Sequence, residues 1–524
     1  MSKSKSKSKT LIASACAALG LAGALLAVPM AAQAQDAQRV RMIVAYKDGQ
    51  GDAMRAAVAR LGGKVVVDLD EVNAFAVVLP RKAVAALQKA KGLDFAENDH
   101  VRKAFASARG RVTTAAGGQV VPYGISMVQA DQVSDASASA RKLCIVDSGI
   151  DGSHEDLVGI PMDGANHTAS GSWNTDENSH GTHVAGTVAA VNNTLGVIGV
   201  MPNKQISLYI SKVFDAAGSA STSTIIKGML ACNRAGANVV SMSLGGSNAS
   251  KLEEKVVNFM TGRNILIIAA AGNAGTTAVS YPAGFANVMS VAAVDSSAAW
   301  ASFSQFNPDV EIAAPGVAVL STVPMGAGSE ATTDVGGTAY PVIGMAGSPM
   351  LSASGALADF GLGDTPVPGS MTGKVCLIRR GNIAFSDKVL NCQNSGGAAA
   401  IIYNNVAGPL NGTLNGVVTT IPSVGASDTD GAAMMAKLGQ TANVAVSPTH
   451  YALFNGTSMA TPHASAVAAL VWSRHTNCTA AQIRDSLNKS AMDLGAAGRD
   501  DKFGYGLVQA KAADDRITSL GCGN

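Results

Sequence analysis

Three short segments of this 524-residue chain carry residue types that could do chemistry together. Asp147 ends an apolar run in CIVDSGIDGSHEDL, His180 lies in NSHGTHVAG, and Ser458 lies in NGTSMATP. A serine hydroxyl is a poor nucleophile until a base removes its proton. An imidazole can remove it near neutral pH. A buried carboxylate can hold that imidazole in one tautomer and stabilise its charged form. Ser458 leads a run of small and apolar residues reaching Val471. Pro462 is tolerated in the first turn of a helix, which puts the predicted helix start near Ser458. A serine there faces unpaired backbone N–H groups and the positive end of the helix dipole. That setting stabilises negative charge on a reacting oxygen. Singly, each segment has a plainer reading. Ser458 could be a helix cap, Asp147 a turn former, and His180 and His183 a pair of metal ligands on one helix face.

These residues need elements to hold them. From Val120 to Pro324 the pattern alternates strand and helix. Apolar strands are predicted at Leu143–Val146, Ile206–Phe214, Asn238–Leu244, Ile265–Ala270 and Val288–Val294. Helices are predicted at Ser179–Val191, Ser223–Arg234 and Leu252–Gly262, with another at Ala480–Ser490. Such alternation implies an α/β fold: a parallel β-sheet flanked by helices on both faces, with functional groups at the carboxyl ends of its strands. Residues 39–105 read as a small α+β unit, with strands at Val40–Tyr46, Val65–Val67 and Ala74–Leu79 and helices at Gly51–Leu61 and Arg81–Lys91. A flexible, cuttable stretch, ARGRVTTAAGG, follows. Residues 325–450 are richer in Gly, Ser, Thr and Asn and read as a β-rich inserted domain. Tyr451 then returns the chain to the first domain and leads into the Ser458 helix.

Composition narrows the choice. Charged residues are 15% and the formal net charge is +2, which gives no footprint for a nucleic-acid partner. The start of the chain reads as a secretion signal, residues 1–34. It has a lysine-rich opening, an apolar run from Leu11 to Val28, and a small-x-small site at Ala32-Gln33-Ala34. An uncleaved anchor is the rival reading of that run. No stable membrane insertion is expected once it is removed. Cys16 goes with the signal and six cysteines remain, an even count that suits disulfides in an exported chain. Sequence proximity favours Cys376–Cys392 and Cys478–Cys522, leaving Cys144 with Cys232.

Taken together, the segments around Asp147, His180 and Ser458 resemble the subtilisin-like serine proteases, in the chain order Asp, His, Ser. SMSLGG (Ser241–Gly246), AAAGN (Ala269–Asn273) and YPA (Tyr281–Ala283) extend the likeness. The resemblance implies Ser458 as nucleophile, His180 as general base and then acid, and Asp147 as its orienter. The Ser458 N–H and the Asn273 side chain would hold the oxyanion. Ser243, Leu244, Gly245 and Gly246 would pair with an extended polypeptide substrate, with Ala271, Gly272 and Ser280 around its pocket. The pocket floor at Ser280 carries no charge, so broad cleavage after medium to large apolar residues is expected. The resemblance also implies structural Ca²⁺, held by Gln119, Asp156 and Asn193 and by carbonyls of Val191, Leu195 and Val197.

The leading unit, ending ENDHVRKAF, resembles the inhibitory propeptide of these proteases, an intramolecular inhibitor released by self-cleavage. Phe105–Ala106 is one candidate bond, although Gln119 resembles a residue near the usual mature N-terminus, so 106–118 is a linker or processing region. The insert, through GKVCLIRRGN and IPSVGAS, resembles a protease-associated domain, for substrate access, for partner binding or as a tolerated insertion. The expected product is a secreted, monomeric serine endopeptidase. Its rivals are a non-catalytic binding protein on the same fold and an α/β-hydrolase esterase using His463 or His475.

Overall fold

The computed structural model describes residues 39–105, 107–108 and 118–523. The signal segment, with Cys16 and its cleavage site, lies outside the described residues, as do Ala106 and residues 109–117.

Seven parallel strands form the central sheet. Their spatial order is Val310–Pro315, Val288–Val294, Leu266–Ala270, Val239–Met242, Lys142–Asp147, Ser207–Lys212 and Met162–Asn166. The inner strands are unbroken apolar runs because helices cover both faces. Lys142–Asp147 comes first in the chain. The next strands are laid on one side of it and the later ones on the other. The order therefore reverses between Lys142–Asp147 and Val239–Met242, and a crevice opens at their carboxyl ends. Asp147 ends the first of these strands, and Ser243 to Gly246 follow the second.

On one face, helix Thr457–Arg474 is buried along nearly its whole length. It packs with helix His180–Ala189 in a cluster that includes Val184, Val188, Val467 and Leu470. Small side chains allow the backbones to approach closely. Helices Thr222–Arg234 and Lys251–Thr261 cover the other face. Pro462 does not lie in the first turn as its chemistry suggested. The helix starts at Thr457 and Pro462 stands inside it. A proline has no N–H for the carbonyl four residues back, here Ser458. That carbonyl instead accepts from Ser243 Oγ at 2.8 Å, so the missing donor ties the helix to the crevice.

The three expected disulfides are present. Cys144–Cys232 ties the Asp147 strand to helix Thr222–Arg234. The leading unit is a four-stranded antiparallel sheet in the order Lys64–Leu69, Ala74–Pro80, Arg39–Tyr46, Leu93–Asn98. Helix Gly51–Arg60 buries Met54 and Val58 on one face. On the other face Ile43, Ala45 and Ala74 join the apolar cluster of Ile226 and Met229. The predicted helix 81–91 shrinks to the turns Arg81–Ala83 and Val84–Leu87. Gly92, at φ +90°, then swings the chain into the edge strand Leu93–Asn98.

The insert builds its own eight-stranded sheet, with helices Phe385–Asn394 and Asp428–Met435. Its first and last long strands, Gly328–Val335 and Thr441–Thr449, pair antiparallel. Both ends leave, side by side, the small sheet in which Val319–Thr322 pairs with Tyr451–Asn455, which lets a domain be inserted without disturbing its host.

Candidate active site

Asp147 is fully buried at its strand end, and its Oδ1 lies 2.7 Å from His180 Nδ1. That bond places the proton on Nδ1 and leaves the Nε2 lone pair free. Nε2 is buried and makes no hydrogen bond. Burial opposes the imidazolium, but the charge of Asp147, its hydrogen bond and the nearby charge of Asp176 outweigh it, so the His180 pKa is raised above its ordinary 6.5. Asp176 fixes the start of the histidine helix. It accepts from the N–H groups of Asn178, Ser179 and Thr182 and from the Ser148 and Thr182 hydroxyls. Nothing in its sequence context set Asp176 apart from other loop aspartates.

Ser458 stands at the second position of its helix, fully buried. Its hydroxyl does not bond His180. It donates to the Ser243 carbonyl at 2.8 Å and accepts from the Phe105 N–H at 3.0 Å. The carboxylate–imidazole half of the expected relay is thus made, and the imidazole–hydroxyl half is not.

The chain runs through its own crevice. Val101–Ala104 lies between Ser219–Ser221 and Leu244–Gly245, antiparallel to both. On the far side, Ser107–Ala108 pairs with Phe454 and Asn455. The Phe105 carbonyl accepts from Asn273 Nδ2 at 2.8 Å. Asn273 Oδ1 accepts the Thr457 N–H and hydroxyl, both at 2.9 Å, which fixes the amide orientation. The Ser458 N–H, expected as second donor, makes no hydrogen bond to this carbonyl. A Cβ on Gly456 would overlap the Phe105 oxygen, so this approach requires glycine.

The Phe105 ring fills a slot. A Cβ on Gly245 would come within 2.6 Å of it and 2.5 Å of Ser280 Oγ. Gly246 pairs through its backbone with Tyr281, bringing the Ser280 segment alongside. Ala271 and Gly272 face the scaffold instead, bonding Val291 O and Thr457 Oγ1 through their N–H groups. Neither hydrogen-bonds the segment at Phe105. The leading unit also caps two helices. Asp99 accepts the N–H and hydroxyl of Ser223, and Glu97 accepts from Ser250 Oγ, Lys251 N and Leu252 N.

Five of the six residues expected around calcium also meet, and Leu195 joins them through its N–H rather than the expected carbonyl. The Val191 and Val197 carbonyls and Asn193 Oδ1 converge on Gln119 Nε2, at 2.7, 3.2 and 3.3 Å. Asp156 accepts from Asn193 Nδ2 and Val197 N, and burial raises its pKa. Leu195 N donates to Asn193 Oδ1 in the same loop. Oxygens aimed at one point and a buried carboxylate beside them fit a hard cation, with the Gln119 amide turned to present its oxygen. Among the described residues no cluster of three or more His, Cys, Asp or Glu could hold a metal.

His183 is a core residue, stacked on Phe454 and bonded to the Val319 and Ala452 carbonyls, with its pKa lowered to about 3 by burial. His463 bonds Met459 O, and His475 pairs with Asp514 at the other end of the Ser458 helix. Neither meets the Ser458 hydroxyl. A strand, Tyr451–Asn455, precedes Ser458. It belongs to a small antiparallel sheet rather than to the central one, so a hydrolase elbow is not formed.

The sequence pattern of the subtilase family matches residues 138–348 and 425–506. A PA domain pattern matches residues 338–434, and a peptidase inhibitor domain pattern matches residues 13–99. Subtilisin DY of Bacillus licheniformis is 41% identical over 242 residues, covering 45% of this chain and 85% of that protein. Subtilisin NAT of Bacillus subtilis subsp. natto is 38% identical over 334 residues, covering 61% and 83%. The crystal structure of the psychrophilic subtilisin-like protease Apa1 from the Antarctic psychrotroph Pseudoalteromonas sp. AS-11 superposes with a TM-score of 0.61 at 41% identity, covering 78% of this chain and all of that one. Fervidolysin from Fervidobacterium pennivorans shares the fold at 22% identity, with a TM-score of 0.60 over 91% of this chain and 61% of that one.

Proposed function

We propose, for a chain that belongs to the subtilase family of subtilisin-like serine peptidases, that it is a secreted endopeptidase made as a self-processing precursor. The observation that carries this reading is Phe105: its peptide lies against Ser458 while its carbonyl oxygen is held by Asn273.

In this mechanism Ser458 Oγ turns from the Ser243 carbonyl toward His180 Nε2, which takes its proton as Oγ attacks the Phe105 carbonyl carbon. Asp147 stabilises the imidazolium that forms. The carbonyl oxygen gains negative charge and keeps the Asn273 amide. A small shift toward the helix start would add the Ser458 N–H. The imidazolium then protonates the leaving nitrogen of Ala106, and the acyl bond to Ser458 is freed by water activated at the same imidazole. The leading unit, still paired to Leu244–Gly245, acts as inhibitor until it departs. Free polypeptides then occupy the same strand position. Backbone pairing reads any extended chain, and the Phe105 slot supports a preference for apolar residues before the cleaved bond.

Gln119, Asp156, Val191, Asn193, Leu195 and Val197 would hold a structural calcium ion, which ties the start of the catalytic unit to the loop after the histidine helix. Three disulfides, secretion-signal chemistry at residues 1–34 and the subtilisin relatives support an extracellular location. The protein acts as a monomer in this reading, and the insert borders the crevice as an access or binding element.

A fluorophosphonate reagent tests the reading. Mature protein should carry the label on Ser458, and His180→Ala should abolish labelling. A mature, folded protein that remains unlabelled would remove the enzyme reading in favour of a binding protein.

A further inference from the structure

The fourth residue back from the candidate bond, Arg102, is fully buried, and so is its partner Glu253. Arg102 Nη2 lies 2.5 Å from Glu253 Oε2, and Nε lies 3.3 Å from Oε1. Nη2 also donates to the Asn248 carbonyl at 2.9 Å. Gly246 forms one wall: a Cβ there would stand 3.1 Å from Arg102 Nη1. Glu253, Asn248 and Gly246 all belong to the catalytic unit, whereas Arg102 belongs to the departing one. Lys103, next in the chain, is exposed, so positive charge is not gathered along the whole segment.

A carboxylate closed off from water is costly unless a cation and hydrogen bonds match it. Once the leading unit leaves, Glu253 stands in a pocket shaped for a guanidinium and empty of one. A planar fork meets two carboxylate oxygens and a carbonyl there, which a lysine ammonium cannot reproduce. Resting on the endopeptidase reading above, we infer that Glu253 and the Asn248 carbonyl form a specificity subsite for arginine at the fourth position before the cleaved bond. The enzyme's substrates are then extended polypeptides with Arg at that position and an apolar residue at the bond itself. Its own sequence Arg102-Lys103-Ala104-Phe105 is the first of them.

Four peptides test this with mature native enzyme. They share Lys-Ala-Phe before a reporter amide and carry Arg, Lys, Leu or Glu in front of it. The Arg peptide should exceed the Leu peptide in kcat/KM by about 30-fold or more, the cost of leaving a buried charge unpaired, with Lys between them. In Glu253→Gln and Glu253→Leu the Arg-to-Leu ratio should collapse to within about threefold of unity. Equal cleavage of the Arg and Leu peptides by native enzyme overturns the subsite and leaves the endopeptidase reading standing. Cleavage of none of the four overturns both. A full Arg preference surviving in Glu253→Gln also overturns the assignment, because that variant keeps the shape and loses the charge.

Discussion

The Phe105 slot can be closed with one methyl group. Gly245 has an ordinary φ, so Gly245→Ala is conformationally permitted and acts only through space. Its Cβ would stand 2.6 Å from the Phe105 ring and 2.5 Å from Ser280 Oγ. No real carbon tolerates the first distance, so a large ring can no longer lie where Phe105 does. Burying a phenylalanine side chain contributes about 1.5–3 kcal/mol. Lost from the transition state, that amounts to about 10- to 150-fold in kcat/KM. A peptide with Ala at the same position never enters the slot and loses little. The assay is kcat/KM on peptides differing only in Phe, Leu or Ala before the bond. The Phe-to-Ala ratio should fall by that factor and the Leu-to-Ala ratio by less. An unchanged Phe-to-Ala ratio would show that the ring of a free substrate does not use this slot.

Catalysis should also depend on pH in a set direction. The base must be neutral, and the raised pKa of His180 keeps it protonated above pH 6.5, so kcat/KM should climb with pH through a limb lying above that value. Asp147→Asn removes the charge that raises it and leaves only a neutral amide oxygen as acceptor. The limb should then move to lower pH while activity drops, and a limb moving upward would contradict the electrostatics. Cys144→Ala with Cys232→Ala opens a link spanning 88 residues and should cost about 2–5 kcal/mol in denaturant unfolding. Chelation with EGTA should lower the Tm of mature native protein and leave that of Asn193→Ala nearly unchanged. Equal responses would argue against calcium at that loop.

The fold and the candidate site differ in how much of each is legible in the sequence. The inner strands are legible because burial on both faces makes them solid apolar runs, as at Val288–Val294. The edge strand Met162–Asn166 is not, since MDGAN has no apolar period and is held by pairing with Ser207–Lys212. Strand Val310–Pro315 is hidden by its acidic Glu311, which is buried against Arg484 and Asn488 from a distant helix. Asp147, His180 and Ser458 are conspicuous because their neighbours are small residues forced by close packing. The hydrogen bonds of the Ser458 hydroxyl are not, because its partners, Ser243 O and Phe105 N, come from segments remote in sequence. Asp176 and Glu253 look like ordinary surface acids. Each is buried by partners remote in sequence, Ser148 for one and Arg102 for the other.

The central claim is that this chain's own Ser458 cuts the segment it is seated against. The most direct measurement is the intact mass of purified precursor after folding, for native protein and for Ser458→Ala. The account predicts that native protein separates after Phe105 or is trimmed within 106–118, while Ser458→Ala remains one uncut chain. A Ser458→Ala precursor that matures at the native position with no added protease would contradict it.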